Sequence, residues 1–319
     1  MSRIAKGTAG ERGGASIDPD ALMRIKSLKL RAKLVVEGFF AGLHRSPTHG
    51  SSIEFSEYRA YVPGDDLRNL DWKLFARSDR HFIKKYEDET NRRCYLIVDQ
   101  SKSMSYGSLD YSKIEYARTL AATLAYFLTL QRDAVGVLTF DKELGDFLPA
   151  KIGAKQLHQI FVELSRPADG MGTDLDLPLA QITTLVPRRG LVILLSDLLA
   201  PLQTLRKQLA ALRARGHEVV LLRVVDPAEV DLGLADPAMI VDLESTKQMY
   251  VDPAAATAGY NQRFAEHRDE VESICQTNGI GFFELSTDRP LDQALAALIN
   301  AKNRLASGTG YAAVGGGSR

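Results

Sequence analysis

Apolar and polar positions change their rhythm twice along the 319-residue chain. Residues 1–16 are small, polar and glycine-rich, a composition that predicts disorder. From Asp18, a residue suited to cap a helix, "PDALMRIKSLKLRAKLVVEGFFAGL" places apolar residues near helical spacing and predicts one helix. "HRSPTHGSS" breaks that pattern. The stretch from Ile53 to Glu89 then mixes short strand-like pieces with a turn at Pro63-Gly64-Asp65.

After Asn91 a regular alternation begins. "CYLIVD" is a short continuous apolar run, as expected of a strand buried on both faces. A long helical pattern follows in "YSKIEYARTLAATLAYFLTLQRD", then a strand in "AVGVLTFD" and helices in "AKQLHQIFVELSR" and "DLDLPLAQITTLV". "GLVILLSD" predicts a strand, "LQTLRKQLAALRARG" a helix and "HEVVLLRVVD" a strand. Beyond a polar insert, "AATAGYNQRFAEHRDEVESICQTNG" is helical, "IGFFELST" strand-like and "LDQALAALINAKNRLA" helical again.

Strands alternating with helices of this length predict crossover units and an α/β fold: a mainly parallel central sheet with helices on both faces. The predicted organisation is a disordered start at 1–16, an extension at 17–90 packed on the main domain, the α/β domain at 91–306 and a flexible tail at 307–319.

Composition narrows the classes. Hydrophobic residues at 45% and charged residues at 25% match an ordinary globular protein. Lysines plus arginines and aspartates plus glutamates both number 40, so the net charge is zero, against a broad nucleic-acid or anionic-membrane surface. Two isolated cysteines, Cys94 and Cys275, make neither a disulfide framework nor a thiolate zinc site and point to a reducing cytoplasm. The N-terminus has no secretory pattern, and no apolar run reaches the length of about 18 residues that a spanning helix needs.

In open parallel sheets, ligands sit beyond the carboxyl ends of strands where the strand order reverses. Asp99, Ser101 and Ser103 follow the first strong strand. Thr173, flanked by Gly170 and Gly172, precedes a helix, and Asp197 ends another apolar strand. Together they offer two carboxylates and three hydroxyls. Hard oxygen donors without His or Cys suit Mg²⁺, with Mn²⁺ or Ca²⁺ as alternatives, rather than zinc. Taken singly, each of these residues is an ordinary loop or cap residue.

Catalytic readings fit less well. A haloacid-type phosphatase wants a second carboxylate at the position of Ser101, and neither a G-x-S-x-G elbow nor a phosphate loop is present. His158, His217 and His267 read as surface or helix positions. The expectation is a non-enzymatic protein. Upstream, Arg59, Asp65, Asp66, Arg68, Asp71, Trp72 and Arg77 gather opposite charges around the single tryptophan, as in an ion-paired network or a docking surface.

Two resemblances rest on these residues. Asp99, Ser101, Ser103, Thr173 and Asp197, in that order, resemble the metal-ion-dependent adhesion site of von Willebrand factor type A domains. The run Arg59, Tyr61, Gly64, Asp65, Asp66, Arg68, Asp71, Trp72, Ala76 and Arg77, shortly before a strand and Asp-x-Ser-x-Ser, looks like the bacterial family called domain of unknown function 58, over roughly residues 30–245. The resemblance implies a Rossmann-like type A fold and association with a MoxR-family AAA+ ATPase in chaperone-like assembly or maturation of other proteins. An ion held by only two carboxylates could in addition accept an acidic side chain from a partner, the ATPase or its client. Members with N-terminal membrane helices exist, and this chain shows none. The rival expectations are a metal-dependent hydrolase using the same carboxylates, and a metal-free scaffold docking through the Arg59–Arg77 surface.

Overall fold

Leucine- and valine-rich runs bounded by polar turns become the central strands, because each can bury both faces between helices. In the computed structural model the described residues are 17–45, 58–60, 82–84, 92–141, 143–167, 176–186, 189–230, 238–241, 248–251, 253–296 and 299. The predicted disordered start, the boundary near residue 90 and the tail at 307–319 lie outside them.

The chain opens with helices α1 (Pro19–Met23) and α2 (Leu28–Arg45) and the short strands β1 (Tyr58–Ala60) and β2 (Phe82–Lys84). Then come β3 (Arg93–Asp99), α3 (Lys113–Leu130), β4 (Ala134–Phe140), β5 (Leu148–Lys151), α4 (Ala154–Leu164) and α5 (Asp176–Leu185). They are followed by β6 (Leu191–Ser196), α6 (Leu202–Ala214), β7 (Glu218–Val225), α7 (Pro227–Val230), β8 (Ala238–Val241), β9 (Gln248–Val251), α8 (Pro253–Thr277) and β10 (Gly281–Ser286). Residues 291–296 are helical.

Six strands form the main sheet in the order β10-β7-β6-β3-β4-β5. All pairings are parallel except β4 with the edge strand β5. The chain begins this sheet at β3, steps to β4 and β5 on one side, then returns to lay β6 on the other side of β3. The order therefore reverses between β3 and β6, which is where such sheets bind ligands.

Alternation along each strand divides the core in two. Cys94, Leu96 and Val98 of β3 join Leu191, Ile193 and Leu195 of β6 under α2, α3, α4 and residues 291–295. Tyr95 and Ile97 join Val192 and Leu194 on the opposite face, under α5, α6 and α8. The α/β architecture with helices on both faces is thus observed. Helix α3 is buried nearly all round because α2 covers its outer side, with the Phe40 ring stacked on Phe127 at 6.0 Å and Phe39 edge-on to it at 6.5 Å.

The single helix expected after Asp18 is in fact two. Asp18 caps α1, and the chain unwinds over Arg24–Ser27 before α2 starts. The break is satisfied locally: the Ser27 hydroxyl accepts the Leu30 N–H at 3.3 Å. Arg31 reaches back to the carbonyls of Ile25 and Met23, each at 2.5 Å, which would otherwise lack partners at the helix end. Strand β5 had no sequence counterpart, and the polar insert holds the antiparallel pair β8–β9. Both are short, and four residues carry too little periodicity to register.

Gly216 closes α6 with φ +83°, its N–H bonded to the Arg213 carbonyl at 2.8 Å. An L side chain is strained in that left-handed conformation. Gly216→Ala is expected to cost about 1 kcal/mol in urea unfolding; an unchanged midpoint would contradict the assignment.

Candidate metal and interaction site

Two neighbouring strands end in carboxylates. The β3–β6 register sets Val98 opposite Leu195, so Asp99 lies level with Ser196, and Asp197 follows at once. Both carboxylates therefore stand at the carboxyl edge of the sheet, beside the switch in strand order.

Asp99 is completely buried and fully hydrogen-bonded. Its Oδ1 accepts the Ser101 N–H at 2.8 Å, and its Oδ2 accepts the Ser196 hydroxyl at 2.6 Å. The Ser101 and Ser103 hydroxyls lie 3.2 Å apart, on the loop and the short 3-10 turn over Lys102–Ser105. Burial, and then the charge of Asp197, push the Asp99 carboxyl up to about 7, although the Ser196 and Ser101 hydrogen bonds pull the other way.

The β6 side is built just as tightly. Ser196 Oγ accepts the Leu198 N–H at 2.9 Å, and Asp197 Oδ1 accepts the Leu199 N–H at 3.2 Å. Leu198 is held at φ +58°, an uncommon conformation for a branched residue, with its side chain locked in the core. The turn leaves the Ser196 hydroxyl on Asp99 of β3 and the Asp197 carboxylate on Lys113 of α3.

Charges absent from the sequence reading surround Asp197. The Lys113 ammonium, wholly buried at the start of α3, lies 2.9 Å from Asp197 Oδ2 and 2.5 Å from Glu229 Oε1. Burial opposes that charge, but the two carboxylates outweigh it and hold the Lys113 ammonium above its ordinary value. Arg223 of β7, also buried, pairs with Glu284 of β10 at 3.0 Å and donates to the Asp197 carbonyl at 3.3 Å. Asp226, at the end of β7, accepts the Ser108 N–H at 2.9 Å and the Ser108 hydroxyl at 2.5 Å, pinning the loop that leads into α3.

The structure thus brings together Asp99, Ser101, Ser103 and Asp197. Thr173 lies outside the described residues, as do Asp65, Asp66, Arg68, Asp71, Trp72, Arg77 and the Arg59 side chain. The Arg59 backbone belongs to β1, opposite Ile83 of β2. Ser196, Lys113 and Glu229 were missed. Ser196 had a weak signal as the neighbour of Asp197; nothing local marks Lys113. His217 is neither exposed nor helical: it is buried in the turn between α6 and β7. Burial lowers the basicity of its imidazole.

The donor chemistry suits a hard divalent cation. Lys113 is committed to Asp197 and Glu229, and Asp99 has no cationic partner among the described residues. Among those residues no group of three or more His, Cys, Asp and Glu side chains forms a metal cage. A site here would rest on two carboxylates supplemented by hydroxyls.

Fold and site define a mainly parallel α/β domain with a buried acidic cluster at its switch point. A family model described as "Protein of unknown function DUF58" matches residues 57–270, and the chain belongs to that family. A Mycobacterium tuberculosis relative, "Uncharacterized protein Rv1480", is 27% identical over 277 residues, covering 85% of this chain and 86% of its own length. A shorter Mycobacterium avium relative, "Uncharacterized protein MAV169", is 29% identical over 119 residues, covering 37% of this chain and 69% of its own length. Among solved structures, BatB from Bacteroides thetaiotaomicron aligns with TM-score 0.45 at 16% identity, over 67% of this chain and 99% of its own. The SpRpn10 VWA domain aligns with TM-score 0.41 at 9% identity, over 70% of this chain and 99% of its own. Among the described residues no helix is long and apolar enough to cross a membrane.

Proposed function

We propose that this protein is a non-enzymatic, metal-dependent protein–protein interaction module. The observation that carries the reading is Asp99: a buried carboxylate without a counter-ion among the described residues, oriented by two hydrogen bonds and facing the charge of Asp197. Asp99, Ser101, Ser103 and Asp197, with Thr173 as the fifth residue, would hold Mg²⁺, Mn²⁺ or Ca²⁺. The bound ion would supply an electrophilic position for an acidic side chain of a partner.

The surroundings support binding rather than turnover. The Ser101 hydroxyl faces another hydroxyl rather than a base, and the nearby His267 Nε2 lies 3.1 Å from the Leu198 carbonyl. Leu199, two residues after Asp197, and Val230, directly after Glu229, stay exposed, and apolar positions beside a buried charge suit a protein partner better than a small polar substrate. The family resemblance makes a cytoplasmic MoxR-family AAA+ ATPase the partner to test, acting in assembly or maturation of a client protein.

The test uses the full chain, wild type and Asp99→Ala, in a pull-down with the purified ATPase with and without EDTA. Circular dichroism confirms the fold of each variant. Loss of capture on either change is expected. Capture indifferent to both overturns the metal bridge; if charge reversal at Arg68 or Asp71 then abolishes it, docking runs through the Arg59–Arg77 run. Sustained Mg²⁺-dependent turnover of phosphate esters would replace the reading with that of a hydrolase.

A further inference from the structure

The unexplained group at this site is Lys113. A buried ammonium is costly unless closely paired, and a well-packed apolar residue of similar volume often serves stability equally well. Its position is nevertheless enforced: its N–H donates to the Tyr106 carbonyl at 2.9 Å, and Ser108 ties the preceding loop to Asp226. The side chain is led to one spot, between Asp197 and Glu229.

Asp197 and Glu229 differ in kind. Asp197 is 2% exposed and belongs to the metal-ligand set, whereas Glu229 is 18% exposed and stands outside it. The carboxylates of Asp99, Asp197, Glu229 and the buried Asp226 outnumber the one ammonium among them, so negative charge is left over for a divalent cation. Such a cation and the ammonium draw on the same Asp197 carboxylate and repel each other at short range in a poorly solvated pocket.

We propose that Lys113 is an internal competitor for divalent cations at Asp197, and that Glu229 is the seat that keeps the ammonium paired when it yields. The proposal rests on the metal reading above and concerns what sets the affinity of that site. Lys113 holds Asp197 in place while the site is free of metal. It also keeps metal affinity low, so the ion is retained firmly only when a partner adds its own carboxylate. Weakening the hold of Glu229 on Lys113 drives the ammonium more completely onto Asp197.

The experiment is titration calorimetry of the full chain with MgCl₂ and with MnCl₂. It compares wild type with Lys113→Met, Lys113→Gln and Glu229→Gln, with urea unfolding in EDTA as a control of folding. Both Lys113 variants are expected to bind about tenfold more tightly, ~1.4 kcal/mol, and Glu229→Gln more weakly. A merely structural ion pair would lower the stability of all three and leave the affinity for Mg²⁺ and Mn²⁺ unmoved. Equal or weaker binding by a folded Lys113 variant, with wild-type binding intact, overturns the competitor role alone. Binding by the Lys113 variants but not by wild type supports it in its strongest form. Absence of binding by every folded protein overturns the metal reading and this proposal with it.

Discussion

Asparagine at position 99 is expected to make the metal-free protein more stable at pH 8. Asp99 is fully buried, and burial together with the neighbouring Asp197 charge raises its carboxyl to about 7, against 3.8 for the free side chain. Between pH 4 and 7 the folded protein therefore holds a proton that the unfolded chain has lost, so stability falls as pH rises through that window. Above pH 7 the ionised group imposes its whole penalty, about 2–4 kcal/mol once the mutual influence of the two carboxylates is discounted. Asp99→Asn preserves the shape and the acceptor for the Ser101 N–H while removing the charge. Urea unfolding in EDTA should show the variant well ahead of wild type at pH 8 and by a smaller margin at pH 5, because less of the penalty has accumulated there. Added Mg²⁺ should stabilise wild type at pH 8 and leave Asp99→Asn unmoved. A variant less stable than wild type at pH 8 in EDTA would mean that the Asp99 charge is already compensated.

Arg223→Met is expected to cost about 3 kcal/mol, because removing one member of a buried pair strands the other. Arg223 and Glu284 sit directly opposite each other in the β7–β10 register, and the guanidinium also lies 4.6 Å from the centre of the Phe264 ring. It thus joins two strands, α8 and the Asp197 carbonyl in one contact set. The Glu284 side chain is 24% exposed, so water offsets part of the loss and keeps the estimate at the lower end for buried pairs. Urea unfolding provides the measurement. The double variant Arg223→Met, Glu284→Leu should recover a large part of the deficit, since it leaves no charge uncompensated. Additive losses would mean that packing on Phe264, not charge, is what Arg223 contributes.

These two residues were not equally legible. Asp99 directly follows a five-residue apolar run, Cys94 to Val98, and opens an Asp-x-Ser-x-Ser pattern, so both its place on a strand end and its chemistry could be read locally. Arg223 lies inside an apolar strand sequence, where a lone arginine has no local meaning. Only the pairing of β7 with β10 supplies its carboxylate. The start of the chain shows the reverse failure. Apolar spacing predicted one helix across Pro19–Leu43, but backbone contacts made by Arg31 ended the first helix at Met23. Periodicity reports which face of an element is buried, not whether the element is continuous.

The sequence by itself determined the alternation of buried strands and helices, the mainly parallel α/β class, and the strand-end positions of Asp99 and Asp197. All follow from residues close along the chain, through periodicity, apolar run length and loop chemistry. Tertiary structure alone decided that β6 returns beside β3, that Ser196 serves Asp99, and that Lys113 meets Asp197 and Glu229. Those last contacts join residues 84 and 116 positions apart. Such separations leave no periodic trace, because strand order is settled by how whole faces pack, and a single buried lysine in a helix looks the same in sequence wherever that helix docks.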